Sequence, residues 1–267
     1  MTGTTSTGED GQTGRRCPSR KFGYLRILEL EGVKKRRLVA ALDRVSRDFH
    51  GLDGVIIDIR NNPGGDDSTA ITIVNRFCDR KRIAFHRKTK IGPPESDFTA
   101  LKTWRIKPQG DLQFTGPIVL LTCDSVFSGG EVFALAMKQL PYVTILGDHT
   151  NGIFSYQLEK KLPNRWRYRL SYQKYFSPDM TCYEGVGVPA DITLLNSKTD
   201  IEEGIDSLIV RALEVLESMN GERTGNRPHG PSFCRECSYG HHPRFPQWGA
   251  SWGANPTMSS NPASGMA

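Results

Sequence analysis

Two glycine-bearing turns, each closing an apolar run, hold residue types that acyl chemistry needs. One is Asp58-Ile59-Arg60-Asn61-Asn62-Pro63-Gly64-Gly65, and the other is Ser125-Val126-Phe127-Ser128-Gly129-Gly130-Glu131. A serine at a strand-to-helix turn can present its hydroxyl as a nucleophile. A glycine pair can offer unpaired backbone N–H groups to an oxyanion developing on a carbonyl oxygen. Together they point to acyl transfer, with cleavage of a peptide bond foremost. The plain alternative for Ser128 is a helix N-cap, with Glu131 at the third helical position closing a capping box.

The elements that must position these turns follow from hydropathy pattern. Gly54 to Ile59 and Pro117 to Thr122 are near-continuous apolar runs, the pattern of strands buried on both faces. Val143 to Gly147 is a third, and Phe22 to Leu30 alternates as a strand. Helical spacing runs through Leu38 to Phe49, Thr69 to Cys78, Gly129 to Leu140 and Ile201 to Leu216. Arg82 to Lys88 reads as a strand, and Phe154 to Ser171 as a hairpin around Leu162-Pro163-Asn164-Arg165-Trp166. Residues 91–115, with Gly92-Pro93-Pro94 and Pro108-Gln109-Gly110, read as a long loop. Strands alternating with helices predict an α/β layered domain.

A chain of 267 residues can bury one sizeable core. Residues 1–20 and 218–267 are rich in Gly, Ser, Thr, Pro and Asn and read as disordered tails around a domain spanning 21–217. They dilute the mean hydropathy to −0.45. The net charge of +6 is spread among interspersed acids, so it reads as solvated surface, with no nucleic-acid partner expected. No apolar run is long enough for a membrane span. The first residues lack a basic stretch followed by an apolar one, so no secretory leader is read. Cys17, Cys78, Cys123 and Cys182 lie far apart beside apolar segments, which predicts buried free thiols and a reducing, cytoplasmic location. Cys234, Cys237, His241 and His242, with His229, are zinc-type ligands. The spacing is tight and nothing around them would fold, so a disordered tail is the reading, with no metal and no cofactor expected.

Five motifs in order carry a family resemblance: Asp58 to Gly65; Ser128-Gly129-Gly130-Glu131-Val132-Phe133-Ala134; Gly147-Asp148-His149-Thr150-Asn151-Gly152; Leu162-Pro163-Asn164; and Glu184-Gly185-Val186-Gly187-Val188-Pro189-Ala190-Asp191. The series resembles the core of the tail-specific, or C-terminal processing, serine peptidases over about residues 22–216. The fold this implies is a ClpP/crotonase-like spiral core of layered β-sheet and helices. By the resemblance, Ser128 is the nucleophile, and Gly129 with Gly64 and Gly65 supplies the oxyanion hole. Asp58 and Arg60 would shape the turn. The implied partner is a peptide or protein substrate, and related folds often self-associate, so a homo-oligomer is expected by analogy.

One departure stands out. Bacterial members of this family place a general-base lysine in a Thr-x-Gly-Lys motif, which here reads Thr150-Asn151-Gly152-Ile153. Isoleucine cannot take a proton. A second, tricorn-like branch uses an upstream histidine and a late glutamate. Glu184 matches the glutamate, whereas Arg26 stands where the histidine is sought. Of His50, His86 and His149, the last lies in the turn facing the catalytic region and is the in-chain substitute for the base. The base could equally come from an upstream segment or another subunit, or the site is degenerate. The leading expectation is therefore a serine-type peptidase. The alternative is a catalytically inactive peptide-binding or scaffold protein on the same fold, and acyl-CoA chemistry of the crotonase type ranks third.

Overall fold

The structure, a computed structural model, describes residues 20–223. The tail readings for residues 1–19 and 224–267, with Cys17 and the Cys/His cluster, lie outside the described residues.

The two apolar runs become the centre of a parallel sheet. Strand β2 (Gly54–Asp58) and strand β5 (Ile118–Thr122) are buried along their whole length and pair with each other. Strands β1 (Phe22–Arg26), β6 (Val143–Gly147) and β10 (Ile192–Thr193) complete the order β1-β2-β5-β6-β10, parallel throughout. Alternation along the strands divides the core. Val55, Ile57, Ile118 and Leu120 face one layer, while Ile56, Val119 and Leu121 face the other. The first layer contains helices α1 (Lys35–Asp48), α2 (Asp67–Val74) and α3 (Gly129–Met137). On the second face Leu208, Ala212 and Leu216 of helix α5 (Ser207–Arg223) close the core. This is the layered α/β arrangement that the strand and helix order predicts.

A second, antiparallel sheet has the order β4-β3-β9, from β3 (Arg82–Thr89), β4 (Lys102–Ile106) and β9 (Gln173–Phe176). The loop expected over 91–115 thus contains a strand. Pairing with β3 and the stacking of Trp104 on Phe85, with ring centroids 5.5 Å apart, hold it there. The predicted hairpin is β7 (Gln157–Lys161) with β8 (Arg167–Ser171), exposed on both faces.

The helix expected over Ile201 to Leu216 is two helices. Helix α4 (Lys198–Glu203) ends at Gly204, whose φ of 69° is left-handed, and α5 starts afresh at Ser207. Helix α5 continues through Arg223, so the folded domain extends past residue 217. At its other end Arg20 donates from Nη1 to the Glu217 carbonyl at 2.6 Å, which draws Arg20 into the domain. The expected burial of the thiols holds for Cys78 alone among the described residues; Cys123 is half-buried and Cys182 exposed. No described helix is long and apolar enough to cross a membrane.

Candidate active site

Ser128 joins β5 to α3 with φ 51° and ψ −120°. A helix N-cap ordinarily sits in extended backbone. A non-glycine residue in this region is strained, and persists only where its surroundings fix it. Here they do. The Ser128 N–H donates to the Ile153 carbonyl at 2.9 Å and to Glu131 Oε2 at 3.3 Å. Glu131 therefore does reach back to the N-cap as a capping residue, yet Ser128 lacks the backbone of an ordinary cap.

The two turns are stitched together. Phe127 donates its N–H to the Asn62 carbonyl at 3.1 Å. Asn62 is buried; its Nδ2 donates to the Ile27 carbonyl and its Oδ1 accepts the Gly64 N–H, both at 2.8 Å. A Cβ on Gly64 would lie 2.6 Å from the Phe127 carbonyl oxygen, and one on Gly129 would lie 2.5 Å from the Gly65 carbonyl oxygen. Glycine is thus required by the close approach of the two backbones at Ser128.

The three glycines differ in one respect that their spacing did not reveal. The Gly64 N–H is already taken by Asn62 Oδ1, so it is not free for a substrate oxyanion. The N–H groups of Gly65 and Gly129 have no partner among the described residues, and Gly129 opens α3, where no helical acceptor exists.

Asp58 and Arg60 hold the first turn. Asp58 is buried and accepts from the Arg60 backbone N–H at 2.9 Å, from Arg60 Nη2 at 2.7 Å and from the Tyr24 hydroxyl at 2.8 Å. The Arg60 guanidinium also bridges to Asp206, just before α5, at 2.8 Å. Burial raises the Tyr24 hydroxyl to about 12, reinforced by the Asp58 charge. Burial opposes ionisation of Asp206, but its bonds to Arg60 win and hold it below the usual carboxylate range.

Glu131 is the residue whose importance sequence reasoning underrated. It is fully buried and takes four donors: the Thr150 hydroxyl at 2.7 Å, Gly152 N–H at 2.6 Å, Ile153 N–H at 2.7 Å and Ser128 N–H. Burial raises its pKa above the ordinary value, with these donors working in the opposite direction. One carboxylate thereby fastens the 150–153 loop onto the serine turn. The sequence signals were its capping-box position and its place in the Ser128–Ala134 motif.

The base candidates are placed elsewhere. His149 is largely exposed, with Nδ1 2.7 Å from the Thr150 carbonyl oxygen and Nε2 3.7 Å from an Asp148 carboxylate oxygen. Glu184 accepts the Phe154 N–H at 3.1 Å, and burial raises its pKa, opposed by the N–H groups of Phe154 and Ser155. The nearby hairpin arginines Arg167 and Arg169 pair with Glu159. Among the described residues, no hydrogen bond joins Ser128 to His149 or to Glu184, the other two members of the expected trio. Lys160 and Lys161 lie on the exposed strand β7. No group of His, Cys, Asp and Glu among the described residues could hold a metal ion.

Comparison with known proteins follows this geometry. The family model of Peptidase family S41 matches residues 21–194. The chain is 27% identical over 211 residues to a carboxy-terminal-processing protease of Bartonella bacilliformis, covering 78% of this chain and 46% of the relative. It thus spans between about a third and a half of the length of the curated relatives it matches. A crystal structure from Parabacteroides merdae superposes with TM-score 0.67 at 27% identity, over 73% of this chain and 61% of the other. Mature CPAF shares the fold at TM-score 0.67 and 15% identity, over 74% of this chain and 51% of its own.

Proposed function

The chain belongs to peptidase family S41, and from that premise we propose that Ser128 is the nucleophile of a serine-type peptide hydrolase. The observation that carries the reading is the strained backbone of Ser128 beside two unpaired N–H groups, those of Gly65 and Gly129. Ser128 Oγ attacks the scissile carbonyl carbon, and its proton passes to a base. The carbonyl oxygen becomes an oxyanion that accepts from Gly65 and Gly129. Collapse expels the amine and leaves an acyl-enzyme, which water hydrolyses. The substrate class is a polypeptide, either a peptide or an unfolded protein end.

The base comes from outside residues 20–223 or from a second subunit. Two observations support this reading: Ile153 stands at the lysine position, and neither His149 nor Glu184 hydrogen-bonds Ser128 among the described residues. Glu184 acts by positioning the backbone at Phe154. The same observations favour one competing reading, a catalytically silent peptide-binding protein on this fold, because a hydroxyl without a base is a poor nucleophile.

Labelling of the purified chain with a fluorophosphonate probe separates the two. Labelling of wild type that disappears in Ser128→Ala is the expected result. Absence of labelling in folded wild type overturns the hydrolase reading in favour of the binding protein.

A further inference from the structure

An open cleft of about 290 Å³ has Asp66, Asp67, Arg87, Trp104, Tyr156 and Tyr172 on its walls. Its walls continue the two segments that grip Ser128. Asp67 follows Gly65 by two positions and Tyr156 follows Ile153 by three. At no more than about 3.6 Å per residue, the Asp67 backbone lies within roughly 7 Å of Gly65 and that of Tyr156 within roughly 11 Å of Ile153.

Asp67 is 3% exposed. Its Oδ2 accepts from the Tyr175 hydroxyl at 2.9 Å and from Arg87 Nη1 at 3.1 Å, while its Oδ1 is buried with no partner. The indole N–H of Trp104 is also buried without an acceptor. Native interiors satisfy such groups, and an unsatisfied one calls for an explanation. The charges are unbalanced as well. Arg87 is the one cation on these walls, which also carry both Asp66 and Asp67; it pairs with Asp67, and its guanidinium lies over the rings of Trp104 at 5.2 Å and Tyr175 at 5.7 Å. A second cation would find an unpaired carboxylate oxygen and, in Tyr156 and Tyr172, further aromatic walls of the kind that attract guanidinium and ammonium groups.

We propose that this cleft is a substrate side-chain subsite that takes a lysine or arginine of the polypeptide bound at Ser128. The proposal rests on the hydrolase reading for the identity of the chain that carries the basic residue. The unpaired Asp67 oxygen is the recognition element, and Tyr156, exposed at the mouth, covers the aliphatic stem.

The test uses 4-aminobenzamidine, a fluorescent cation, titrated into the full chain. Saturable binding is expected, at least tenfold weaker in Asp67→Asn and severalfold weaker in Tyr156→Ala, and retained in Ser128→Ala. Nα-acetyl-lysine amide is expected to compete and Nα-acetyl-glutamate amide is not. Lack of saturation in folded wild type, equal binding in Asp67→Asn, or competition by the glutamate compound alone overturns the subsite. If Asp67→Asn fails to fold, the exposed Tyr156→Ala variant and the competitor pair decide. Amidine binding without fluorophosphonate labelling would sink the hydrolase reading and leave a cation site. Labelling without amidine binding would sink the subsite and leave the hydrolase.

Discussion

Ser128 and Ile153 are backbone neighbours, the serine N–H donating to the isoleucine carbonyl at 2.9 Å. Residue 153, which stands at the lysine position of the Thr-x-Gly-Lys motif, is therefore already seated against Ser128. The Ile153 side chain is 40% exposed, so a longer polar chain can be accommodated. Ile153→Lys is expected to raise the rate of fluorophosphonate labelling roughly a hundredfold at mildly alkaline pH, the low end of general-base effects. Ile153→Met should not. An unchanged rate in the folded lysine variant would show that a side chain at 153 does not reach the hydroxyl.

The backbone of Ser128, at φ 51°, holds strain that only glycine escapes. Strain of this type costs on the order of 1–3 kcal/mol. Ser128→Gly is expected to be more stable than Ser128→Ala by about 1 kcal/mol in urea denaturation, while both lose labelling. Equal stability of the two variants would mean that the turn is relaxed.

Removing the Glu131 carboxylate strands several donors at once. Glu131→Ala leaves the Thr150 hydroxyl and the N–H groups of Gly152 and Ile153 without their acceptor. Each unsatisfied buried group costs about 1–3 kcal/mol, so a loss of about 3 kcal/mol or more is expected. Glu131→Gln keeps one acceptor oxygen and should fall between wild type and alanine. A loss below about 1 kcal/mol for alanine, read from urea midpoints, would show that the 150–153 loop is held by other means.

Asp67 gives a pH signature. Burial raises it from 3.8 to about 6, against the pull of Tyr175 and Arg87. An acid whose folded value lies above its unfolded one binds its proton more tightly in the native state. Its contribution to stability is complete below about 4, is lost as pH rises through about 6, and is flat above that. The loss is about 3 kcal/mol at most. The stability difference between wild type and Asp67→Asn, measured in urea from pH 4 to 7.5, should shift against wild type across that window. A difference independent of pH would contradict a buried, ionising Asp67.

What the sequence disclosed was governed by how far each signal is local. Strands β2 and β5 were legible because burial on both faces leaves nothing but apolar residues, and Ser128-Gly129 because a tight turn into a helix permits few residue types. Strand β4 was hidden because Lys102, Thr103 and Arg105 flank its Trp104, and only β3, distant in sequence, makes it a strand. Gly204 passed as one glycine in a helical pattern, although its left-handed backbone ends α4. That Asn62, two residues earlier, accepts the Gly64 N–H is a bond that spacing cannot reveal. Arg87 read as surface charge, yet it is the cation that Asp67 and Trp104 enclose.

The bridge from Arg60 to Asp206 also has a meaning in time. The two residues are 146 positions apart in sequence. A ribosome adding about 5–20 residues per second needs roughly 7–30 s to cover that distance. During that interval the serine turn has been synthesised, but the arginine that shapes its neighbour has only Asp58 to grip. The second anchor comes with the segment that leads into α5, so a nascent chain carries Ser128 well before the platform beneath it is fully fastened.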